Sequence, residues 1–215
     1  MAPLSLTVEA VCHRHPGLER DTPQAVSFAL AAGERALLVG PNGAGKTTLL
    51  LRIVGLVDGP GTVRIGGEQM SGRGGQARRL RRSIGFLWQS PDDALLLPTV
   101  VEDVALGPVN DGEPPDAARA RACDWLERLG IAHLAERQVR ALSLGEKQLV
   151  ALAGVLVREP GLLLLDEPTS ALDEDHRGRL GEILAGLDAT MLMVSHDPDR
   201  WTSRGFGRQV AVSAG

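Results

Sequence analysis

The stretch RALLVGPNGAGKT, residues 35–47, decides the fold. It opens with a short, almost wholly apolar run, Arg35–Val39, which is typical of a strand buried on both faces. The following GPNGAGKT, residues 40–47, fits the pattern G-x-x-x-x-G-K-[ST] and leads into a helix-like stretch, Lys46–Val54. A strand, a glycine-rich loop and a helix in this order predict a loop that cradles phosphate groups. The alternative is a glycine-rich turn that binds nothing.

The residue types in this loop suit phosphate binding. Glycines let backbone N–H groups curl around phosphate oxygens, and the helix adds the positive end of its dipole. Lys46 is expected to reach the β- and γ-phosphates, and the Thr47 hydroxyl is expected to reach Mg²⁺. The nucleotide-binding residues predicted here are Gly40, Pro41, Asn42, Gly43, Ala44, Gly45, Lys46, Thr47 and Thr48.

A second phosphate-site element is LLLLDEP, residues 162–168. Four leucines predict a strand buried on both faces, which delivers Asp166 to the sheet edge where phosphates lie. An acidic residue there can hold Mg²⁺. Strand alternation turns Glu167 away from its neighbour, so Glu167 is a candidate to orient or deprotonate an attacking water. The alternative is a strand end followed by a turn.

Strand-like and helix-like stretches alternate along most of the chain, which predicts an α/β fold with a mostly parallel central sheet. Further strands are predicted at residues 4–11, 25–30, 62–65, 84–87, 190–195 and 209–212. Further helices are predicted at residues 99–106, 115–129, 144–158 and 173–187. Four arginines in residues 76–82 are interpreted as a solvated helix face.

Composition narrows the function classes. The 215 residues are 43% hydrophobic and carry a formal net charge of -4, which argues against a nucleic-acid partner held by bulk electrostatics. Two cysteines, Cys12 and Cys123, do not make a disulfide framework, so a reducing compartment is expected. No apolar stretch approaches the roughly 18 to 20 residues that cross a bilayer.

Six elements occur in the order found in ABC-type ATPase domains, which the chain resembles over nearly its whole length. They are GPNGAGKTT, Gln89, LSLGEKQ, LLLLDEP, SALD and the His196 of MVSHD. The resemblance implies a P-loop NTPase fold with N-terminal antiparallel strands, in a single domain spanning residues 1–215. It further implies a RecA-like core of about residues 1–88 and 142–215. The rest of the domain is a helical subdomain of about residues 89–141 plus the start of the signature helix.

In this family two subunits face head to tail, and each ATP lies between one P-loop and the partner's signature helix. The resemblance implies that Glu167 is the general base and that His196 contacts the γ-phosphate. It also implies that Gln89 senses Mg²⁺ and that Asp173 lies at the dimer contact. ATP and Mg²⁺ are the expected ligands. The implied catalytic residues are Glu167, His196 and Gln89, and the implied metal-binding residues are Thr47, Gln89 and Asp166.

The signature stretch LSLGEKQ, residues 142–148, departs from the family form Leu-Ser-Gly-Gly-Gln. Leu144 replaces the first glycine, and Glu146 replaces the glutamine. Ser143 and Gly145 keep the groups that can contact a γ-phosphate, and Glu146 is included in the predicted nucleotide site. The carboxylate of Glu146 repels phosphate unless it points away or pairs with a cation such as Lys147. Ser143-x-x-Glu146 also fits a capping box, which offers the alternative of a helix cap alone.

The residue that stacks on adenine is a second departure. The family usually places an aromatic side chain near the first strand, whereas residues 12–16 here read CHRHP. His15 occupies the expected position, so adenine contact by His15 is the prediction. An ordinary surface turn is one alternative. A metal site that includes Cys12, His13 and His15 is the other.

The segment PDDALLLPTVVEDVALGPVN, residues 91–110, resembles ATPases of energy-coupling factor importers, which take up cobalt, nickel and vitamins. The resemblance implies an ATPase dimer, homo- or heteromeric, at the cytoplasmic face of the membrane. Its expected partners are a transmembrane coupling subunit, which residues 91–104 contact, and a substrate-binding membrane subunit. Ala94 and Leu95 to Leu97 depart from the polar and aromatic residues expected there. Another class of ABC ATPase, and a non-transport or regulatory ATP-binding protein, are the alternatives.

Overall fold

A computed structural model of the chain describes residues 1–13, 24–72 and 74–213. The chain divides into two compact units. The first comprises Met1–Phe86, Pro160–Asp166 and Asp188–Gly215, and the second comprises Leu87–Glu159 and Glu167–Leu187.

The described part of the first unit contains two sheets, which confirm the predicted fold class. One sheet has the order β6-β7-β8-β3-β9, in which β3 pairs in parallel with β8 and β9, and β7 pairs in parallel with β8. The other has the order β2-β1-β4-β5, with antiparallel pairs. The strands are β1 Leu6–Val11, β2 Val26–Leu30, β3 Arg35–Val39, β4 Thr62–Ile65, β5 Glu68–Gln69, β6 Ile84–Leu87, β7 Leu162–Asp166, β8 Thr190–Val194 and β9 Arg208–Ala211.

The central strands are buried because their sequences are apolar on both faces. Every residue of β7 and β8 is buried, as expected for parallel strands covered on both sides. Helix α1, Lys46–Val54, packs against β1 and β7 and buries Leu49, Leu50 and Ile53 completely. The remaining helices of this unit are α2, Gly75–Arg82, and the short α7, Pro198–Thr202.

The second unit is helical in its described residues. Its helices are α3 Val100–Asn110, α4 Pro115–Arg128, α5 Leu144–Leu156 and α6 Glu174–Gly186. Helices α3, α4 and α5 pack against one another. Helices α5 and α6 thus belong to this compact unit, whereas the sequence-based division places most of α5 and all of α6 in the RecA-like core. The division into a RecA-like core and a helical subdomain stays a prediction. Across the described residues, no helix has the length and apolar character that a bilayer span requires.

Most predicted element bounds agree with the structure to within two residues, but three features differ. Helix α3 continues to Asn110, four residues beyond its predicted end. It passes Gly107 and Pro108 because the Asp111 and Glu113 N–H groups donate to the carbonyls of these two residues and satisfy the last turn. Strand β5 and helix α7 were not predicted, since two and five residues are too few to show a hydrophobic period.

The basic run on α2 is only partly a solvated face. Arg81 donates from Nε to the Val54 carbonyl at 3.0 Å, and from Nη2 to the carbonyls of Gly55 and Gly72 at 2.5 and 2.7 Å. This guanidinium therefore caps the C-terminal end of α1. Arg78 remains exposed, as the sequence predicted.

Arg81→Ala is expected to lower the free energy of unfolding by about 1–3 kcal/mol, because partly buried carbonyls lose their donor. Arg78→Ala, on the same helix, is expected to change it by less than about 0.5 kcal/mol. Urea unfolding followed by circular dichroism measures both. Equal losses in the two variants would show that the capping bonds add nothing.

Candidate functional site

The glycine-rich loop of the first unit joins β3 to α1. Gly45, which precedes α1, has φ +88°, a left-handed conformation that favours glycine. A Cβ on Gly40 would lie 2.3 Å from the Val212 carbonyl oxygen, so no side chain fits there. Lys46 donates from Nζ to the carbonyls of Gly40 and Pro41 at 2.9 and 3.0 Å. The ammonium group therefore lies over the loop, where a phosphate oxygen can compete for its protons.

Thr47 and Asp166 come together as the sequence predicts. Thr47 donates from Oγ1 to Asp166 Oδ2 at 2.6 Å, and Asp166 is only 2% exposed. Burial raises the pKa of Asp166, while the Thr47 hydrogen bond and the charges of Lys46 and His196 act in the opposite direction. The exposed His196 follows β8 and is close enough to influence this carboxyl.

The hydroxyl and carboxylate oxygens of Thr47 and Asp166 are the hard ligands that Mg²⁺ prefers. Residues 1–13, 24–72 and 74–213 contain no group of three or more His, Cys, Asp or Glu side chains that could hold a metal ion. A cation bound at this pair would thus take its other ligands from phosphate and water, which is the usual arrangement for Mg²⁺.

The adenine contact predicted at the end of the first strand stays a prediction. Cys12 is buried, and His13 Nδ1 lies 3.1 Å from the Asp58 carbonyl oxygen. His15 lies outside the described residues, so neither its adenine contact nor the metal-site alternative is tested.

Glu167 belongs to the second unit and adopts an unusual backbone conformation. Strand β7 ends at Asp166, and Glu167 has φ +51° with 5% of its surface exposed. Its side-chain direction is therefore set by a left-handed turn, and the expectation of simple strand alternation is wrong. A non-glycine residue in this region costs about 1–3 kcal/mol, and such strain clusters at functional sites.

Two further candidate residues lie in this unit. Gln89 is exposed. Asp173 caps the N-terminus of α6 and accepts a hydrogen bond from the His176 N–H at 2.9 Å. That hydrogen bond is the main reason why the pKa of Asp173 is lowered.

The signature stretch forms a capping box at the start of α5. Ser143 Oγ accepts from the Glu146 N–H at 3.3 Å, and Glu146 Oε2 accepts from the Ser143 N–H at 2.7 Å. The cap hypothesis is therefore confirmed as local structure, while contact with a nucleotide stays a prediction. The Ser143 N–H is also the main reason why the pKa of Glu146 is lowered, so its carboxylate stays ionised at neutral pH.

The cation beside Glu146 is not the expected one. Glu146 Oε1 lies 3.2 Å from Arg137 Nη1, whereas Lys147 pairs with Asp92 Oδ1 at 2.5 Å. Arg137 was missed because it lies nine positions away in sequence, on another segment, and no local pattern marks it as a partner. Leu144, which replaces a family glycine, is 57% exposed.

The start of α5 packs tightly against the turn that follows Glu167. A Cβ on Gly145 would lie 2.8 Å from the Ala171 carbonyl oxygen. Gln148 is fully buried, and its Nε2 lies 3.5 Å from the Pro168 carbonyl oxygen. The signature helix and the segment that carries Glu167 are therefore in direct contact within this unit.

Known proteins are similar in sequence to this chain over most of its length. A family model described as ABC transporter matches residues 23–170, more than half of the chain. A Brucella suis biovar 1 protein, named as an ABC transporter ATP-binding protein, is 46% identical over 178 residues, which are 83% of this chain and 74% of that protein. A similarly named Streptomyces coelicolor protein is 44% identical over 200 residues, covering 91% and 75%.

Solved structures share the fold. Protein cbiO1 of Clostridium perfringens, described as part of the ABC transporter complex cbiONQ, is 31% identical with a TM-score of 0.79, over 97% of this chain and 84% of that one. The ATP-binding cassette MJ0796, in a dimeric post-hydrolysis state bound to ADP and Pi, is 26% identical with a TM-score of 0.87, over 97% and 94%.

Gly145→Ala is expected to lower the free energy of unfolding by about 1–3 kcal/mol, because the added methyl group meets a backbone carbonyl that cannot move aside freely. Gly154→Ala is the matched control, since a Cβ at this position of the same helix meets nothing within 4 Å. The control is expected to stabilise the chain by about 0.5–1 kcal/mol. Chemical denaturation measures both, and a stabilising Gly145→Ala would contradict the tight packing.

Proposed function

This chain belongs to the ABC transporter family of ATP-binding cassettes, which hydrolyse ATP, and we propose that it powers an energy-coupling factor-type importer. It would drive uptake of a transition-metal ion such as cobalt or nickel, or of a vitamin, through partner membrane subunits. The observation that carries this subtype is the segment of residues 91–110, with its resemblance to such importers. The similarity to cbiO1, described as part of the cbiONQ complex, supports it.

The geometry of the first unit supports ATP binding. The loop from Gly40 to Thr48 binds the phosphates, with Lys46 turning from the loop carbonyls to phosphate oxygens. Thr47 and Asp166 would hold Mg²⁺, since their oxygens already lie 2.6 Å apart, and Gln89 is the proposed further ligand. When bound, Mg²⁺ neutralises charge on the phosphates. His15 stays the predicted adenine contact.

Glu167 is proposed as the general base. It takes a proton from the attacking water as the water oxygen bonds to the γ-phosphorus. The bond between that phosphorus and the oxygen it shares with the β-phosphate breaks, and ADP departs with its electron pair. His196 contacts the γ-phosphate and aligns the water. The buried, turn-constrained backbone of Glu167 supports this role, because it restricts where the carboxylate can lie.

A dimer completes the proposed site. Ser143 and Gly145 of one subunit contact the γ-phosphate bound by its partner, with Asp173 at the contact between subunits. The dimeric state of MJ0796 supports this arrangement. Because the first N–H groups of a helix have no partner within the helix, the start of α5 can bind an anion.

The proposed membrane contact lies on residues 91–104. Leu96 is 73% exposed, and its loop is pinned because Asp103 Oδ2 accepts from the Leu96 and Leu97 N–H groups at 2.6 Å each. Burial raises the pKa of Asp103 despite these bonds. The loop lines a cavity of about 590 Å³ within the second unit, with Arg140 and Lys147 among the other lining residues. An apolar side chain held outward on a fixed loop supports binding of a partner helix. The subunit would thus lie peripherally at the cytoplasmic face of the membrane.

Glu167→Gln is expected to keep ATP binding, to accumulate a dimer in ATP, and to reduce hydrolysis by at least about 10²-fold, because the amide cannot accept the proton. Phosphate release and analytical ultracentrifugation measure these effects. Glu182→Gln, on the exposed face of α6, is the control and is expected to behave as the unaltered chain. Undiminished turnover in Glu167→Gln would remove Glu167 as the base.

The importer subtype is tested by its partners. The tagged chain, purified from detergent-solubilised membranes of its own host, is expected to bring down a transmembrane coupling subunit and a small substrate-binding membrane protein. Mass spectrometry identifies them. Leu96→Asp is expected to abolish co-purification without changing ATP binding. Recovery of a different class of permease, or of no membrane protein, would contradict the subtype while leaving the ATPase assignment intact.

A further inference from the structure

Both carboxylate oxygens of Glu146 are engaged in the structure. Oε2 accepts from the Ser143 N–H at 2.7 Å, and Oε1 faces Arg137 Nη1 at 3.2 Å. The first contact turns the carboxylate back toward the helix cap. The second places a permanent positive charge beside it, because a guanidinium does not lose its proton in proteins.

The negative charge of Glu146 works against the proposed function, because it repels the γ-phosphate that the start of α5 would contact. The start of α5 is the part of this chain that meets the γ-phosphate on the partner subunit. A helix N-terminus attracts an anion, but a carboxylate in its first turn repels a second one. The lowered pKa of Glu146 means that protonation does not remove this charge at neutral pH.

We propose that Arg137 is a positioning residue that makes this altered signature compatible with ATP: it neutralises Glu146 and draws the carboxylate away from the phosphate site. This role rests on the proposed function, since it requires the signature helix to face a nucleotide. Ser143 Oγ–H and the first N–H groups of α5 are then left to contact the phosphate.

Arg137 is well placed for this task because its backbone is fixed on both sides. Its N–H donates to the Leu134 carbonyl at 2.8 Å, and its own carbonyl accepts from the Val100 N–H at 3.1 Å. Its Nη2 also donates to the Ala141 carbonyl at 3.2 Å. The backbone of Arg137 is thus tied to the start of α3, while its guanidinium contacts both the Ala141 carbonyl and Glu146, so it does not depend on Glu146 alone for its position.

The test is a double-mutant cycle in the Glu167→Gln background, in which ATP-driven dimerisation is read without turnover. The four chains carry no further change, Arg137→Gln, Glu146→Gln, or both. Analytical ultracentrifugation measures the ATP concentration at half-maximal dimer. Arg137→Gln alone is expected to raise this concentration about tenfold, because the carboxylate is left uncompensated. With Glu146→Gln present, Arg137→Gln is expected to change it by less than about twofold.

Two controls separate charge compensation from a structural effect. Arg137→Lys is expected to restore most of the ATP response, since it keeps the charge. Arg119→Gln removes an exposed ion pair with Glu136, the neighbour of Arg137, and is expected to leave the ATP response unchanged. Thermal unfolding of each variant reports stability independently.

The outcomes distinguish the inference from the proposed function. If Glu167→Gln forms no ATP-dependent dimer, the proposed dimeric site fails, and the inference fails with it. If that dimer forms but Arg137→Gln acts equally with and without Glu146→Gln, or has no effect at all, only the role of Arg137 is overturned.

Discussion

The hydrogen bond of 2.6 Å between Thr47 Oγ1 and Asp166 Oδ2 is the contact on which the proposed nucleotide site depends. It joins the start of α1 to the end of β7, a strand that is buried at every residue. Burial raises the pKa of Asp166, and the Thr47 hydroxyl with the nearby charges of Lys46 and His196 opposes that cost. A parallel sheet places the ends of its strands at one edge, so loop and carboxylate meet there.

The first turns of α5 combine a helix cap, a close backbone contact and a buried polar side chain. Ser143 and Glu146 cap the helix, Gly145 permits close approach to the Ala171 carbonyl, and Gln148 lies buried beside Pro168. One departure from the family signature, Glu146, therefore makes part of the helix cap itself. The other departure, Leu144, places an exposed apolar side chain at the start of the helix, and the Glu146 carboxylate pairs with Arg137.

Much of the fold could be predicted because its strongest signals are local. Strands β3 and β7 have the predicted bounds because each is a nearly unbroken apolar run, and helix α1 has them because glycines lie directly before and after it. Other features have no such signal. Nothing near Arg81 in the sequence indicates that it caps α1, and no local pattern indicates the left-handed conformation of Glu167 directly after β7.

The sequence by itself determined the phosphate loop, the buried strand that carries Asp166, and the capping box, because each depends on residues within a few positions of one another. Only the tertiary structure decided which charges meet. Glu146 pairs with Arg137 at a separation of nine residues, and Lys147 with Asp92 at a separation of 55. With 23 lysines and arginines in the chain, charge alone does not select a partner. Packing of the helical unit does, because it fixes which segments lie within reach of the start of α5.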